Sequence, residues 1–127
     1  MFTPGDDYTR REIHAYLGGS VISCLPTSNG TIVAACLSKK FSPGAPEVML
    51  CGRGARTTPI SALFSRQKTA VPMFIKSGSN RWQYRGRFKV DQSFSSGERF
   101  ESYIVGSGRS VASVSYVIIL KRSALND

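Results

Sequence analysis

The 127-residue sequence is poor in acidic side chains, histidine and cysteine, and each shortage removes a class of chemistry. Only 8 residues are Asp or Glu, against 17 Lys and Arg. No acid pair is followed by a lysine at the spacing of a metal-dependent nuclease, and the single histidine, His14, cannot build an H-N-H-type cluster. The three cysteines, Cys24, Cys36 and Cys51, lie far apart in apolar runs. A zinc site would pair them as C-x2-C with further Cys or His ligands, so they read as buried, reduced thiols acting as small apolar side chains. A reducing, intracellular compartment follows as the expectation. A thiol nucleophile would need Cys24 or Cys36 beside His14 with a depressed pKa.

Long hydrophobic runs are also missing. The longest stretch without Lys, Arg, Asp or Glu, Ile13 to Ser38, is broken by Gly18-Gly19, Pro26 and Asn29-Gly30, whereas a membrane span needs ~20 mostly apolar residues. Residues 1–8 contain Asp6 and Asp7 and lack a basic start and an apolar core, so no secretory signal is expected. With 41% hydrophobic residues the chain is too apolar for disorder. Its length predicts one domain over residues 1–127, with neither repeat nor linker.

What is abundant is positive charge, and it is concentrated. Residues 39–89 hold eleven basic side chains against Glu47 alone, while residues 1–38 and 90–127 are close to neutral. A basic cluster and a pI near 10.0 point to a polyanion, nucleic acid first. An anionic membrane fits less well, because no basic amphipathic helix is evident. A solvated basic surface is the plain alternative.

Local signals give an element order. Thr9 followed by Glu12 is a capping box that opens a helix at Arg10, with Ile13, Tyr16 and Leu17 on one face and Gly18-Gly19 as the stop. Val21–Pro26 and Thr31–Leu37 read as strands around an Asn29-Gly30 turn, and Glu47–Cys51 as a third. A second helix is expected with Thr58 as N-cap, Pro59 at the first helical position and Ile60, Leu63 and Phe64 inward. Val71–Lys76 and Arg81–Val90 form a hairpin, Glu98–Tyr103 a helical turn, and Val111–Leu120 a closing strand. The fold class is α+β: a single compact domain, with a strongly curved or barrel-like, mostly antiparallel sheet and two packed helices.

Arg81–Val90 is the most informative segment. Strict alternation would put Trp82, Tyr84, Phe88 and Val90 on one face and Arg81, Gln83, Arg85, Arg87 and Lys89 on the other. The cationic face is suited to tracking phosphates; Trp82 and Tyr84 are either core or, at a barrel mouth, platforms for an unpaired or extruded base. Gly52 and Gly54 before a helix start, flanked by Arg53 and Arg56, form an anion-site signal rather than a dinucleotide fingerprint, because Thr57 stands where the third glycine would be. His14 shares a helix face with Arg10, beside Arg11, as a surface residue or a base contact.

The run Tyr8-Thr9-Arg10-Arg11-Glu12-Ile13-His14, Leu17-Gly18-Gly19, Leu25-Pro26, Val33–Leu37, Val71–Lys76 and Trp82-x-Tyr84-x-Gly86 resembles a bacterial domain family that occurs alone or fused to HNH endonucleases in modification-dependent restriction systems. The strand Trp82–Phe88 is also similar to that of SRA-type readers of 5-methylcytosine, within the PUA-like class. The resemblance implies a PUA-like barrel that recognises modified DNA by base extrusion. In this resemblance the chain departs from the fused members by lacking a nuclease half, so cleavage would belong to a separate nuclease subunit or be absent.

The resulting expectation is a non-enzymatic, cytoplasmic, nucleoid-associated module for modified double-stranded DNA, with 5-methylcytosine as the favoured base. Arg10, Arg11, Arg53, Arg56, Arg85 and Arg87 are assigned to the DNA backbone, and Trp82, Tyr84 and His14 to the base pocket. No catalytic residue, metal or cofactor is expected. The alternatives are a PUA-like RNA-binding protein and a small metal-dependent nuclease using Glu98 and Glu101.

Overall fold

Strand β1 (Asp7–Tyr8) leads directly into helix α1 (Arg10–Leu17) in the structure, a computed structural model that describes residues 1–123. The expected single domain extends four residues beyond the described region. The capping box forms as expected. The Thr9 hydroxyl accepts the Glu12 N–H at 3.2 Å, and the Glu12 carboxylate accepts the Thr9 N–H at 2.9 Å.

Residues 21–26 form no strand. The Ser20 hydroxyl accepts the Ile22 and Ser23 N–H groups, and the Ser23 hydroxyl accepts that of Leu25. Serine hydroxyls thus take backbone donors that a ladder would have used. The Asn29-Gly30 turn, with φ 52 and 76, joins two short strands, β2 (Thr27–Ser28) and β3 (Thr31–Ile32). β4 (Ala35–Leu37) then leaves that hairpin for the main sheet.

β5 (Val48–Gly52) is followed by α2 (Thr57–Ser65), which starts earlier than its sequence signals suggest. Arg56, not Thr58, is the N-cap, and Pro59 occupies the third helical position, still in the first turn where an N–H has no intrahelical partner. β6 (Val71–Gly78), β7 (Arg81–Phe94), α3 (Glu98–Ile104), a 3-10 turn (Val111–Ser113) and β8 (Val114–Arg122) complete the order. The result is a compact α+β domain with three helices, one more than the expected two.

The main sheet runs β4-β6-β7-β8-β5, with β1 added beside β7. β4 pairs parallel to β6, and the other pairs are antiparallel. The path is open: β4 and β5 are its ends and do not pair, so the sheet is not a closed barrel.

Strict alternation fails on β7. Pro72 pairs with Arg87, but Phe74 pairs with Tyr84, so β7 carries one extra residue there. Gly86, at φ 97, supplies the positive φ this bulge uses. The side-chain phase flips across it. Phe88 joins Val71, Met73 and Ile75 in one core with α2, whereas Tyr84 joins Phe74 and Ile13 in another beneath α1. Trp82 and Tyr84 therefore do not share a face with Phe88 and Val90, and the proposed single cationic face is divided: Arg85 and Arg87 point to opposite sides. A third core, built from Leu50, Phe100, Ile104, Val114 and Val117, lies under α3. Among the described residues no helix is long and apolar enough to cross a membrane.

Candidate functional site

A cleft of about 1040 Å³ opens where the sheet fails to close. β4 contributes Cys36 and Leu37 and β5 contributes Met49 to Gly52. α2 lends Ile60 and Ser61, and the irregular segment after α1 lends Ser20 and Ile22 to Leu25. Both end strands are kept from pairing by local hydrogen bonds. The Ser42 hydroxyl accepts the Leu50 N–H at 3.0 Å, and the Arg109 guanidinium donates to the carbonyls of Phe41 at 2.8 Å and Leu50 at 3.4 Å. On the other side, the Cys36 N–H donates to the Cys24 carbonyl at 2.8 Å. With these backbone groups satisfied, the gap persists as a groove rather than zipping into a ladder.

The electrostatics are one-signed. Arg10, Lys40, Arg56, Lys76 and Arg109 line the cleft, and among the described residues no carboxylate does. Two aromatic rings stand among these cations. Trp82 has the Arg10 guanidinium 5.3 Å and the Lys76 ammonium 5.8 Å from its ring centre. Phe41, 56% exposed, has Lys40 at 5.5 Å and Arg109 at 5.7 Å. Such pairs are cation–π contacts, and they hold the rings at the wall of a positively charged channel.

The assigned residues are distributed unevenly. Arg56 is exposed at the cleft. Arg10 reaches the cleft but is only 7% exposed, and its Nη2 donates to the carbonyls of Ser20 at 2.9 Å and Ser23 at 2.7 Å, so it is foremost a tether. Arg53 donates to the carbonyls of Ala112 and Val114 at 3.1 and 2.8 Å, which fixes the start of β8 and leaves fewer donors for phosphate. Arg87 donates to the Ala70 carbonyl at 3.1 Å. Arg11 is exposed on α1, away from the cleft lining. The Gly54 N–H, expected as an open anion donor, is taken by the Thr58 hydroxyl at 3.0 Å.

Trp82 lines the cleft; Tyr84 does not. It is 9% exposed, packed against Phe2 and Phe74, and burial pushes its phenol up despite the nearby Arg87 and Arg122. A base platform at Tyr84 is therefore replaced by a core ring. His14 is exposed, with Nδ1 2.6 Å from the Gly19 carbonyl, outside the cleft lining.

Burial pushes the Cys36 and Cys51 thiols up to about 12, with the Arg10 charge and the Ser61 hydrogen bond respectively opposing the rise. Cys24 is exposed at the cleft wall, yet the protein around it also raises its thiol, against the pull of Arg10. These are the opposite of the shifts that activate a nucleophile. Glu98 and Glu101 lie in the first turn of α3, outside the cleft lining, and among the described residues no group of three or more His, Cys, Asp or Glu could share a metal ion.

Lys40, Phe41, Lys76 and Arg109 complete the cleft without being individually predictable as site residues. The adjacency of Lys39, Lys40 and Phe41 beside a Pro/Gly-rich loop is a local signal for two of them. Lys76 and Arg109 carry no such signal. Comparison of the chain with protein-family models, with curated proteins and with solved structures gives no match.

Proposed function

We propose that this protein is a non-enzymatic DNA-binding module that receives an unstacked base in the cleft between β4 and β5 and prefers a modified cytosine, 5-methylcytosine foremost. One observation carries the reading: a cleft large enough for a nucleotide, lined among the described residues by five cations and no carboxylate, with Trp82 and Phe41 set among them. Pockets for small ligands typically hold ~300–1,000 Å³, so a base fits with room for its sugar. Stacking a base on an aromatic ring contributes ~1–3 kcal/mol, and exposed Lys40, Arg56 and Lys76 supply the phosphate attraction. Cys36, Leu37 and Met49 offer apolar surface against which a methyl group is favoured over water.

Residues from all five main strands, Leu37, Cys51, Ile75, Phe88 and Ile118 among them, fall in one core with Phe64 of α2. We read that arrangement as an open PUA/SRA-like barrel, with the cleft as its mouth. In this reading the protein acts in the cytoplasm on the nucleoid, and any cleavage comes from a separate nuclease subunit.

The test is a set of titrations on matched duplexes, plain and cytosine-methylated, over a range of salt. Affinity is expected to fall steeply with salt and to favour the methylated duplex. Trp82→Leu, which keeps apolar packing but removes the indole, is expected to erase the preference. Binding indifferent to ionic strength, or a preference retained in Trp82→Leu, would overturn the assignment. Tighter binding to RNA than to methylated duplex at equal salt would replace it with the RNA reading.

A further inference from the structure

We infer that the inner end of the cleft, where Arg10 and Lys76 flank Trp82, is a subsite for the phosphate group of a nucleotide. The phosphate chemistry stands on the residues alone; its attribution to a nucleotide rests on the function proposed above.

Arg10 is the central observation. It is 7% exposed, and its Nε is buried with no hydrogen-bond partner among the described residues. Its Nη2 is held by two backbone carbonyls, and it forms no ion pair with any described residue. A buried guanidinium in this state is short of acceptors and of counter-charge, and burying a cation is costly unless it is paired. The groups facing it from each packed element do not supply the missing charge. Trp82 of β7 presents only its ring. Cys24 from the segment after α1 and Cys36 of β4 present thiols, both raised from the ordinary 9.0 and therefore uncharged at neutral pH. Lys76 of β6 adds a second positive charge.

The register explains why the two cations converge. Lys76 pairs directly with Trp82 across β6 and β7, so both side chains leave the same face of the sheet. Arg10, the first residue of α1, lies over that same ring. Lys76 is exposed and forms no ion pair with any described residue. The two carbonyls fix the Arg10 fork before any ligand arrives, which lowers the ordering cost of binding. The Ser20 hydroxyl, also on the cleft, accepts two N–H groups and retains its own proton to donate.

The Arg10 Nη1, which neither carbonyl takes, together with a point charge and a hydroxyl suits a tetrahedral anion with several oxygens better than a single carboxylate. A nucleotide would place its base outward along the cleft and its phosphate at this end.

Trp82 is the only tryptophan in the chain, so its fluorescence reports on the subsite directly. The intact protein is titrated with dCMP, with deoxycytidine and with inorganic phosphate, in parallel with Lys76→Gln and Arg10→Lys. dCMP is expected to change the emission saturably and to bind about tenfold or more tighter than deoxycytidine, as one added charge-assisted contact implies. Lys76→Gln is expected to remove about that factor for dCMP and leave deoxycytidine unchanged. Arg10→Lys keeps the charge but loses the carbonyl-anchored guanidinium and its Nη1 donors, and should weaken dCMP; should that variant unfold, Lys76→Gln decides.

Equal affinities for dCMP and deoxycytidine, or an unchanged dCMP affinity in Lys76→Gln, would overturn the subsite. Inorganic phosphate binding as tightly as dCMP would make free phosphate the occupant and overturn the nucleotide attribution. Failure of these titrations alongside salt-dependent duplex binding removes the subsite alone. Binding of dCMP without any binding of duplex removes the DNA reading alone.

Discussion

Tyr84 and Phe88 stand four residues apart on one strand and enter different cores. Tyr84 pairs with Phe74 beneath α1, and Phe88 pairs with Val71 beneath α2. An even spacing on an uninterrupted strand would have put them side by side. The bulge at Gly86 separates them, and it also lets Trp82 face the cleft while Phe88 fills the interior.

Gly86 is therefore the most sensitive glycine in the sheet. Its φ of 97 disfavours any side chain, and a Cβ there would meet the Arg122 guanidinium at 3.0 Å. Arg122 is the flexible end of a side chain, so the backbone strain dominates. Gly86→Ala is expected to lower stability by about 1–3 kcal/mol, measured as a shift in the urea midpoint at unchanged slope.

The β2–β3 hairpin is stapled to the end of α2 by one side chain. Gln67 accepts the Ile32 N–H at 3.0 Å and donates to the Ile32 carbonyl at 2.9 Å. Gln67→Ala leaves both backbone groups of a buried residue without their partner and should cost about 1–3 kcal/mol. Hydrogen exchange is expected to show faster opening at Ile32 before global unfolding. Unchanged protection at Ile32 would mean that the hairpin is held elsewhere.

Arg10 and Arg11 are adjacent but should differ in their effect on stability. Arg10→Ala removes the tether to Ser20 and Ser23 and exposes the Trp82 wall. A loss of about 1–3 kcal/mol is expected from the two carbonyls left behind. Arg11→Ala, at an exposed helix position, should stay within about 0.5 kcal/mol of the parent. Thermal melts of the two variants at equal concentration distinguish them.

The cleft cations should be visible in the salt dependence of DNA binding. Removing Lys40 or Arg56, each exposed on the cleft, is expected to lower the slope of log affinity against log salt by about 1 for each phosphate that is no longer neutralised. Arg85→Ala, on the far side of the bulge from Arg87, should change the slope less than Arg56→Ala. Equal effects would shift the interface onto the β7 surface.

The buried thiols set an alkaline limit. Cys36 and Cys51 titrate at about 12 in the folded protein against an ordinary value of 9.0. Above pH 9 the unfolded chain therefore releases protons that the folded chain keeps, and stability falls as pH rises from 9 toward 12. Below pH 9 both states hold the proton and the thiols contribute no slope. Denaturant midpoints are expected to decline across that window, and to decline less in Cys51→Ala than in the parent, each compared with its own value at pH 8. At pH 8 the exposed Cys24 should be modified by a thiol reagent well before Cys36 and Cys51.

Elements governed by contacts within a few residues were legible in the chain. α1 follows from Thr9 and Glu12, whose reciprocal bonds need nothing beyond the first turn. The Asn29-Gly30 turn follows from two residues that tolerate positive φ. The existence of α2 was legible but its start was not, because Thr58 caps backward to Gly54 from inside the helix. Part of the site was legible too. Arg56 and Trp82 could be named from their neighbours, whereas Tyr84 could not be separated from Trp82 without the partner strand.

By itself the sequence determined the excess of cations, their concentration in residues 39–89, the α+β character and the local turns, because composition and short-range hydrogen bonding act without knowledge of the partner strand. Tertiary structure decided which cations meet, Arg10 and Arg109 from outside that stretch among them. Arg10, Lys40, Lys76 and Arg109 come from separate stretches of chain, and only the open sheet, held apart at β4 and β5 by Ser42, Arg109 and Cys24, brings them around one cleft. The physical reason is that a single extra residue on β7 and a few edge hydrogen bonds set side-chain direction and strand closure. Both depend on which strand lies alongside, a relationship that periodicity along one chain does not encode.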